Sequence, residues 1–261
     1  MSKIHPTAVI SKEAVIDKDV EIGPFCVVRG QVTIGKGSVL HNHVTLGSDF
    51  GIVEVGENNQ FFAGAAVGGP PQDLKYKNEK TKLTIGNGNM IREYVTVNLG
   101  TVTGTGLTTI ANNNLIMAYS HIAHDCRIGS NIAIANSCQL AGHVTIEDNV
   151  RVGGMCGFVQ FIKIGKFAYI AGDSTINKDV VPFCMAQGRW AVTRATNKIG
   201  LERAGFSDKS ISQIHKAIRL TIMGDRTIDE ALNAIESECE IDENVKYLID
   251  FIKSSEKGIA R

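Results

Sequence analysis

An aliphatic residue recurs every six positions along most of this 261-residue chain, and that period constrains its fold more than any other feature. From Ile110 the beat runs through Ile116, Ile122, Ile128, Ile134, Leu140, Ile146, Val152, Phe158, Ile164, Ile170 and Ile176. Earlier it passes through Ile4, Ile10, Ile16, Ile22, Val28, Ile34, Leu40 and Leu46, then Val55, Phe61 and Val67, then Ile85, Ile91 and Val97. Four positions after most anchors stands a small or β-branched residue, such as Ala8, Ala14, Val20, Ser120, Val144 or Ser174. A period of six matches neither a helix at 3.6 nor a long strand at two. It matches a parallel β-helix, in which hexads form flat faces and successive coils stack by main-chain hydrogen bonds. The long aliphatic fills the prism and the small residue sits at the crowded corner. Cys26, Cys126, Cys138 and Cys156 occupy that small slot and read as buried small hydrophobes, which removes Cys126 as a thiol nucleophile.

Two segments break the beat: a Pro-bearing polar loop over 68–84 and a Gly/Thr-rich one over 98–109, NLGTVTGTGLTT. Loops thrown out from a rigid solenoid often bind ligands; otherwise they are tolerated surface insertions. The repeat ends near Pro182. Beyond it, Ser207 precedes a helical pattern over 211–224, Thr227 and Glu230 form a capping-box start, and 245–254 reads as an amphipathic helix. The expected organisation is a solenoid over 1–185 followed by a small helical domain over 186–261. With 27 basic and 27 acidic side chains, charge gives no reason to expect nucleic acid as a partner. No CxxC pair suggests a zinc ribbon or a disulfide framework. The start, MSKIHPTAVI, lacks a leader's apolar run, and no stretch approaches the roughly 20 apolar residues of a membrane span, so the expected location is the cytoplasm.

Three hexads make one coil, so residues 18 apart lie above one another at a spacing of about 4.8 Å. His124, Gly142 and Gln160 then share one column, and Asp125, His143 and Phe161 the next. Neither His124 nor Asp125 holds an inward slot, so both are expected on an outer face or edge. Adjacent side chains diverge in an extended strand, but at a coil corner the pair can turn toward a common site. A histidine beside a carboxylate suits a general base near neutral pH. A glycine one coil above admits a substrate and offers an unobstructed N–H to an oxyanion. Spacing alone also allows a mere ladder of polar residues on a solvated face. A zinc site from His121, His124 and His143 is less favoured, because these residues lie on different faces or columns.

The hexads, together with QDLKY (72–76), IREYVT (91–96), HIAHDC (121–126), LAGHVT (140–145), VGGM (152–155), AQG (186–188) and RAGFS (203–207), resemble one family throughout the chain. It is the acyl-ACP:UDP-N-acetylglucosamine O-acyltransferases of lipid A biosynthesis. The resemblance implies a mainly β fold, a left-handed parallel β-helix despite the usual right-handed crossover, and a homotrimer with active sites between subunits. It implies transfer of a (3-hydroxy)fatty acyl group from acyl carrier protein to the 3-hydroxyl of UDP-N-acetylglucosamine, with no metal or organic cofactor. His124 would be the base, Asp125 its orienting partner and the Gly142 N–H the oxyanion donor. Gln72, Asp73 and Lys75 would contact sugar and acyl chain, His121, His143 and Gln160 would line the cleft, and Asn197 and Arg203 would meet the nucleotide. Gly172 matches the position that limits acyl length, and Trp190 could narrow the same groove or stack on a base. The chain departs from the family at Val159, where a histidine is common, at Leu99, where a basic residue is usual, at Ile199, often acidic, and at Ala204, often a second arginine. Two rival functions follow: N-acylation of a nucleotide-linked amino sugar, or a non-catalytic β-helix scaffold.

Overall fold

The 18-residue spacing is realised as strand register. In the computed structural model, which describes residues 3–222 and 226–261, His121 and Ile122 pair with Gln139 and Leu140, and these with Gly157 and Phe158. The chain winds as a left-handed parallel β-helix with three faces. Face A runs from Lys3–Ile4 to Cys184–Gly188, face B from Val9–Ile10 to Thr175–Ile176, and face C from Val15–Ile16 to Lys163–Ile164. The anchors line the prism: Ile34, Leu40, Ile116, Ile122, Ile134, Leu140 and Ile170 are fully buried. Each such side chain removed from water contributes about 1.5–3 kcal/mol before chain entropy is counted. Ile4, Ile10 and Ile16, in the first coil, are less covered because no coil lies beneath them. The four cysteines of the small slot are buried, and the Cys126 thiol is pushed up to about 12 chiefly by that burial.

Corners repeat as regularly as faces. One residue per turn adopts positive φ, as at Asn113, Asp125, Asn131, His143, Asn149 and Phe161. Such a backbone costs energy for an L residue. Here the coil below offsets it, because all of these but Asp125 donate their N–H groups to a corner carbonyl one coil earlier, as His143 does to His124 and Phe161 to Gly142, while Asp125 donates to the Thr108 hydroxyl. Between faces C and A, buried Asn59, Asn89 and Asn114 form an internal amide ladder that satisfies corner N–H and C=O groups.

The structure corrects three boundaries. The first insert is shorter than 68–84, because Thr81–Ile85 is a face C strand and Ala66–Gly69 a face B strand. The second is shorter than 98–109, because Leu107–Ile110 rejoins face C. Residues after 185 are not helical at first: Cys184–Gly188 pairs with Tyr169 and Ile170 on face A, and Ala191–Thr196 returns antiparallel to it. Helices follow as α1 (Lys198–Arg203), α2 (Asp208–Ile222), α3 (Ile228–Glu238) and α4 (Glu243–Lys253). Ser207 Oγ accepts from Ser210 N at the start of α2, and Thr227 and Glu230 form the expected capping box on α3. Met223 and Gly224, the end of the expected first helix, and Met1 and Ser2 of the N-terminal reading, lie outside the described residues. The C-terminal tail returns to the solenoid, where Ala260 N donates to Asp179 O and Thr193 Oγ1 to Ala260 O. Among the described residues, no helix is long and apolar enough to cross a membrane.

Candidate active site

At the corner between faces B and C the chain turns through Asp125 with φ 58°. That turn swings two sequence neighbours to one side, and His124 Nδ1 donates to Asp125 Oδ2 at 2.8 Å. One coil above, Gly142 leaves room for the ring: a Cβ built there would lie 2.5 Å from His124 Cε1 and 2.6 Å from Nε2. The ladder uses the N–H groups flanking Gly142, from Ala141 to Phe158 O and from His143 to His124 O. Among the described residues the Gly142 N–H meets no acceptor of the chain, so it is available to a ligand. His124, Gly142, Gln160, His121 and Gln72 line one cleft of about 450 Å³, floored by Ala123, Leu140, Gly157 and Phe158.

The pair does not lie on an open edge as its slots suggest: His124 is 6% and Asp125 3% exposed. The cover is the second insert. Asp125 accepts hydrogen bonds from the backbone N–H groups of Thr101 and Thr105 and from both their hydroxyls, and its own N–H donates to Thr108 Oγ1. Burial pushes the Asp125 carboxyl up, but the bonds from His124, Thr101 and Thr105 outweigh it and hold the group well below its ordinary range. It is therefore an ionised acceptor that selects the Nδ1–H tautomer of His124 and leaves Nε2 unprotonated. Spacing alone does not mark Thr101, Thr105 and Thr108; the available signal is the clustering of threonines at 101, 103, 105, 108 and 109 in the insert one coil before HIAHDC.

The remaining candidate residues divide. His121 pairs through Nδ1 with Thr96 Oγ1 at 2.7 Å, and burial pushes its imidazole below the usual value, with His124 adding to the effect. His143 stacks on Phe161 at 4.3 Å and meets His124 edge-on at 5.1 Å. Burial lowers its pKa as well, against the opposing pull of the Asp125 charge. Asp73 braces its own loop by accepting from Lys75 N, and its charge reaches His143. Gly172 lies over Gly154 at the corner of faces A and B, and Trp190, 60% exposed, follows Arg189, which bridges to Thr175 at the end of face B. Asn197 and Arg203 are elsewhere. Asn197 caps α1 and its amide donates to Phe167 O, at the corner between faces C and A, so one chain does not bring them to His124.

The donor atoms of His124, Asp125 and His143 come within 4.8 Å of one another, and His121 is not among them. Both Asp125 oxygens are already engaged by the insert, and Oδ2 by His124, so an ion at this cluster would have to displace hydrogen bonds that the chain already makes. Among the departures, Val159 sits on the cleft wall, Ile199 is exposed, Ala204 caps α1, and Leu99 is fully buried.

Comparison with known proteins agrees in sequence and in shape. Residues 179–260 match the family described as "Udp N-acetylglucosamine O-acyltransferase; Domain 2", and residues 13–48 and 107–142 match bacterial transferase hexapeptide repeats. The chain is 44% identical over the full length of both proteins to an acyl-[acyl-carrier-protein]–UDP-N-acetylglucosamine O-acyltransferase from Thermodesulfovibrio yellowstonii. It is 42% identical, again over the whole of both, to one from Paraburkholderia phymatum. A solved structure of LpxA from Acinetobacter baumannii superposes with a TM-score of 0.95 at 44% identity, covering 99% of each chain.

Proposed function

Because this chain belongs to the acyl-[acyl-carrier-protein]–UDP-N-acetylglucosamine O-acyltransferase family, we infer that its B–C corner carries out the acyl transfer of that family. The reaction moves a fatty acyl group from the thioester of acyl carrier protein to the 3-hydroxyl of UDP-N-acetylglucosamine, the first step of lipid A biosynthesis. The observation that carries the assignment is the His124–Asp125 bond of 2.8 Å, with Gly142 stacked against the imidazole.

His124 Nε2 accepts the proton of the sugar 3-hydroxyl as its oxygen attacks the thioester carbonyl. The carbonyl π pair moves to oxygen, and the Gly142 N–H donates to that oxyanion. Asp125 stays ionised and stabilises the imidazolium without taking its proton. The tetrahedral intermediate collapses, the C–S bond breaks, and the thiolate of the carrier leaves with the proton held by His124. No step calls for a metal or an organic cofactor. His121, Gln160 and Gln72 border the same cleft and suit the sugar hydroxyls and the acyl carbonyl. Asp73, Lys75 and His143 complete the rim, and Gly172 with Trp190 would set the acyl length along face B.

Asn197 sits at the C–A corner, with Arg203 at the far end of the short helix it caps, whereas His124 sits at the B–C corner. For all three to serve one nucleotide sugar, the site must draw on two copies, which supports a homotrimer with sites between subunits. Mass spectrometry of the purified protein with a panel of acyl carrier proteins and UDP-N-acetylglucosamine tests the reading. The expected product is a 3-O-acyl ester formed by the wild type and not by His124→Ala. Full turnover by His124→Ala would remove the general-base assignment.

A further inference from the structure

The second insert covers the corner, yet its contacts converge on one carboxylate. Asp125 Oδ2 accepts from His124 Nδ1 at 2.8 Å, from Thr101 Oγ1 at 2.7 Å and from Thr101 N at 3.1 Å. Oδ1 accepts from Thr105 N at 2.9 Å and Thr101 N at 3.2 Å, with Thr105 Oγ1 at 3.3 Å. The two hydroxyls are not equivalent. Thr105 Oγ1 has a second acceptor in Leu107 O at 3.0 Å, so its single proton is divided. Thr101 Oγ1 accepts from Thr103 Oγ1 at 3.2 Å, which turns its own proton toward Asp125. Thr101 is 2% exposed, so water does not replace it. The insert approaches closely because residue 104 is glycine: a Cβ there would lie 2.5 Å from Asp125 Cγ.

We propose that Thr101 is a positioning residue for the acyl transfer, the last hydroxyl of a chain running from Thr103 through Thr101 to Asp125 and on to His124; this rests on the reading of His124 as the general base. A buried carboxylate held only by the imidazole could rotate away from Nδ1 or take its proton. Thr101 removes both freedoms. It fixes Oδ2 opposite Nδ1 and shares the negative charge, so that the acceptor is already in place when the imidazolium forms. Its backbone contributes separately, because Thr101 O receives Gly104 N and Gly106 N and shapes the turn whatever the side chain.

The test compares full-length wild type, His124→Ala, Thr101→Val, Thr101→Ser and Thr103→Val in steady-state acyl transfer to UDP-N-acetylglucosamine. Thr101→Val keeps the shape and loses the hydroxyl, so kcat should fall about 10- to 100-fold. KM for the sugar nucleotide should stay within about twofold, because Thr101 touches no substrate. The acid limb of kcat/KM should move to higher pH, since a less neutralised Asp125 holds the imidazolium proton more firmly. Thr101→Ser should restore most of the rate. Thr103→Val, at an exposed position, should lose about two- to fivefold in kcat with KM unchanged, and it keeps the test decisive if Thr101→Val does not fold. A Thr101→Val enzyme with wild-type kcat and an unmoved pH profile would overturn the proposal, as would a loss confined to KM or a Thr101→Ser enzyme as impaired as the valine variant. If Thr101→Val does not fold, wild-type kcat in Thr103→Val overturns it instead. Activity in His124→Ala would sink the base assignment itself, so the two failures are told apart.

Discussion

Replacing Gly142 with alanine adds one methyl group directly against the ring of His124. The new Cβ lies 2.5 Å from Cε1, 2.6 Å from Nε2 and 3.0 Å from Nδ1. Carbon atoms in contact rest about 3.5–4.0 Å apart, so the ring must retreat by about 1 Å. It has little freedom to do so, because Nδ1 is tied to Asp125 and Asp125 is tied to Thr101 and Thr105. A misplacement of about 1 Å in a reacting group costs about 100-fold in rate. Gly142 lies outside the left-handed region of φ, so alanine enters without backbone strain and keeps the N–H. The loss therefore reports the position of the base and not a missing oxyanion donor. The assay is thiol release from acyl carrier protein in the presence of UDP-N-acetylglucosamine, beside a thermal unfolding scan. We expect kcat/KM to fall about 100-fold while the unfolding midpoint moves by less than about 4 °C. More than about a third of wild-type kcat/KM in Gly142→Ala would mean that the ring has space the structure denies it, and the reasoning would fail.

Three further outcomes are expected. Cys126→Ala should transfer acyl groups at the wild-type rate and lose about 1 kcal/mol of stability, because the thiol is a packed apolar group, and native protein should not react with a thiol reagent at that position. His121 and His143 both have imidazole pKa values lowered on folding from 6.5, so the unfolded chain binds protons more readily below that pH, and stability should fall on acidification through and below 6.5; chemical unfolding midpoints at pH 7.5 and 5.5 measure this, and His121→Asn should flatten the difference. Mixing unfolded His124→Ala and Arg203→Ala chains and refolding them together should recover about one quarter of wild-type activity, since a site drawing each residue from a different copy is intact in one of four random pairings. Recovery of none would place both residues in sites of a single chain.

The column of His124, Gly142 and Gln160 was legible because the period is set by main-chain stacking and survives any change of outward side chains. Eighteen residues of sequence became one coil of register, as in the pairing of His121 with Gln139. Burial of the His124–Asp125 pair was not legible. It depends on the path of residues 99–106, which follow no period and owe their position to hydrogen bonds with the very carboxylate they cover. The change of composition after Pro182 marked the end of the hexads but not the end of the sheet. Residues 184–196 lack the six-residue beat because a hairpin needs alternation only, and it closes face A through Met185 opposite Tyr169. Arg203 was legible only as part of a family motif, since nothing in its spacing indicates which corner α1 occupies.

The departure at Leu99 bears on the same insert. A basic side chain at this position would point to solvent or to a ligand, whereas Leu99 is fully buried and reaches Gly51, where an added Cβ would lie 2.8 Å from its Cδ1. Its N–H donates to Gly69 O, and the next residues are held through Gly100 N to Lys82 O and Lys82 N to Gly106 O. The insert is thus rooted at both ends in the solenoid, one end by an apolar plug and the other by the face C ladder. A loop fixed in this way can present Thr101 to Asp125 without first losing conformational entropy in each turnover. The exchange of a charge for a core residue therefore changes how the loop is anchored and leaves intact the carboxylate cradle that it carries, which is why the departure is compatible with the chemistry assigned to His124.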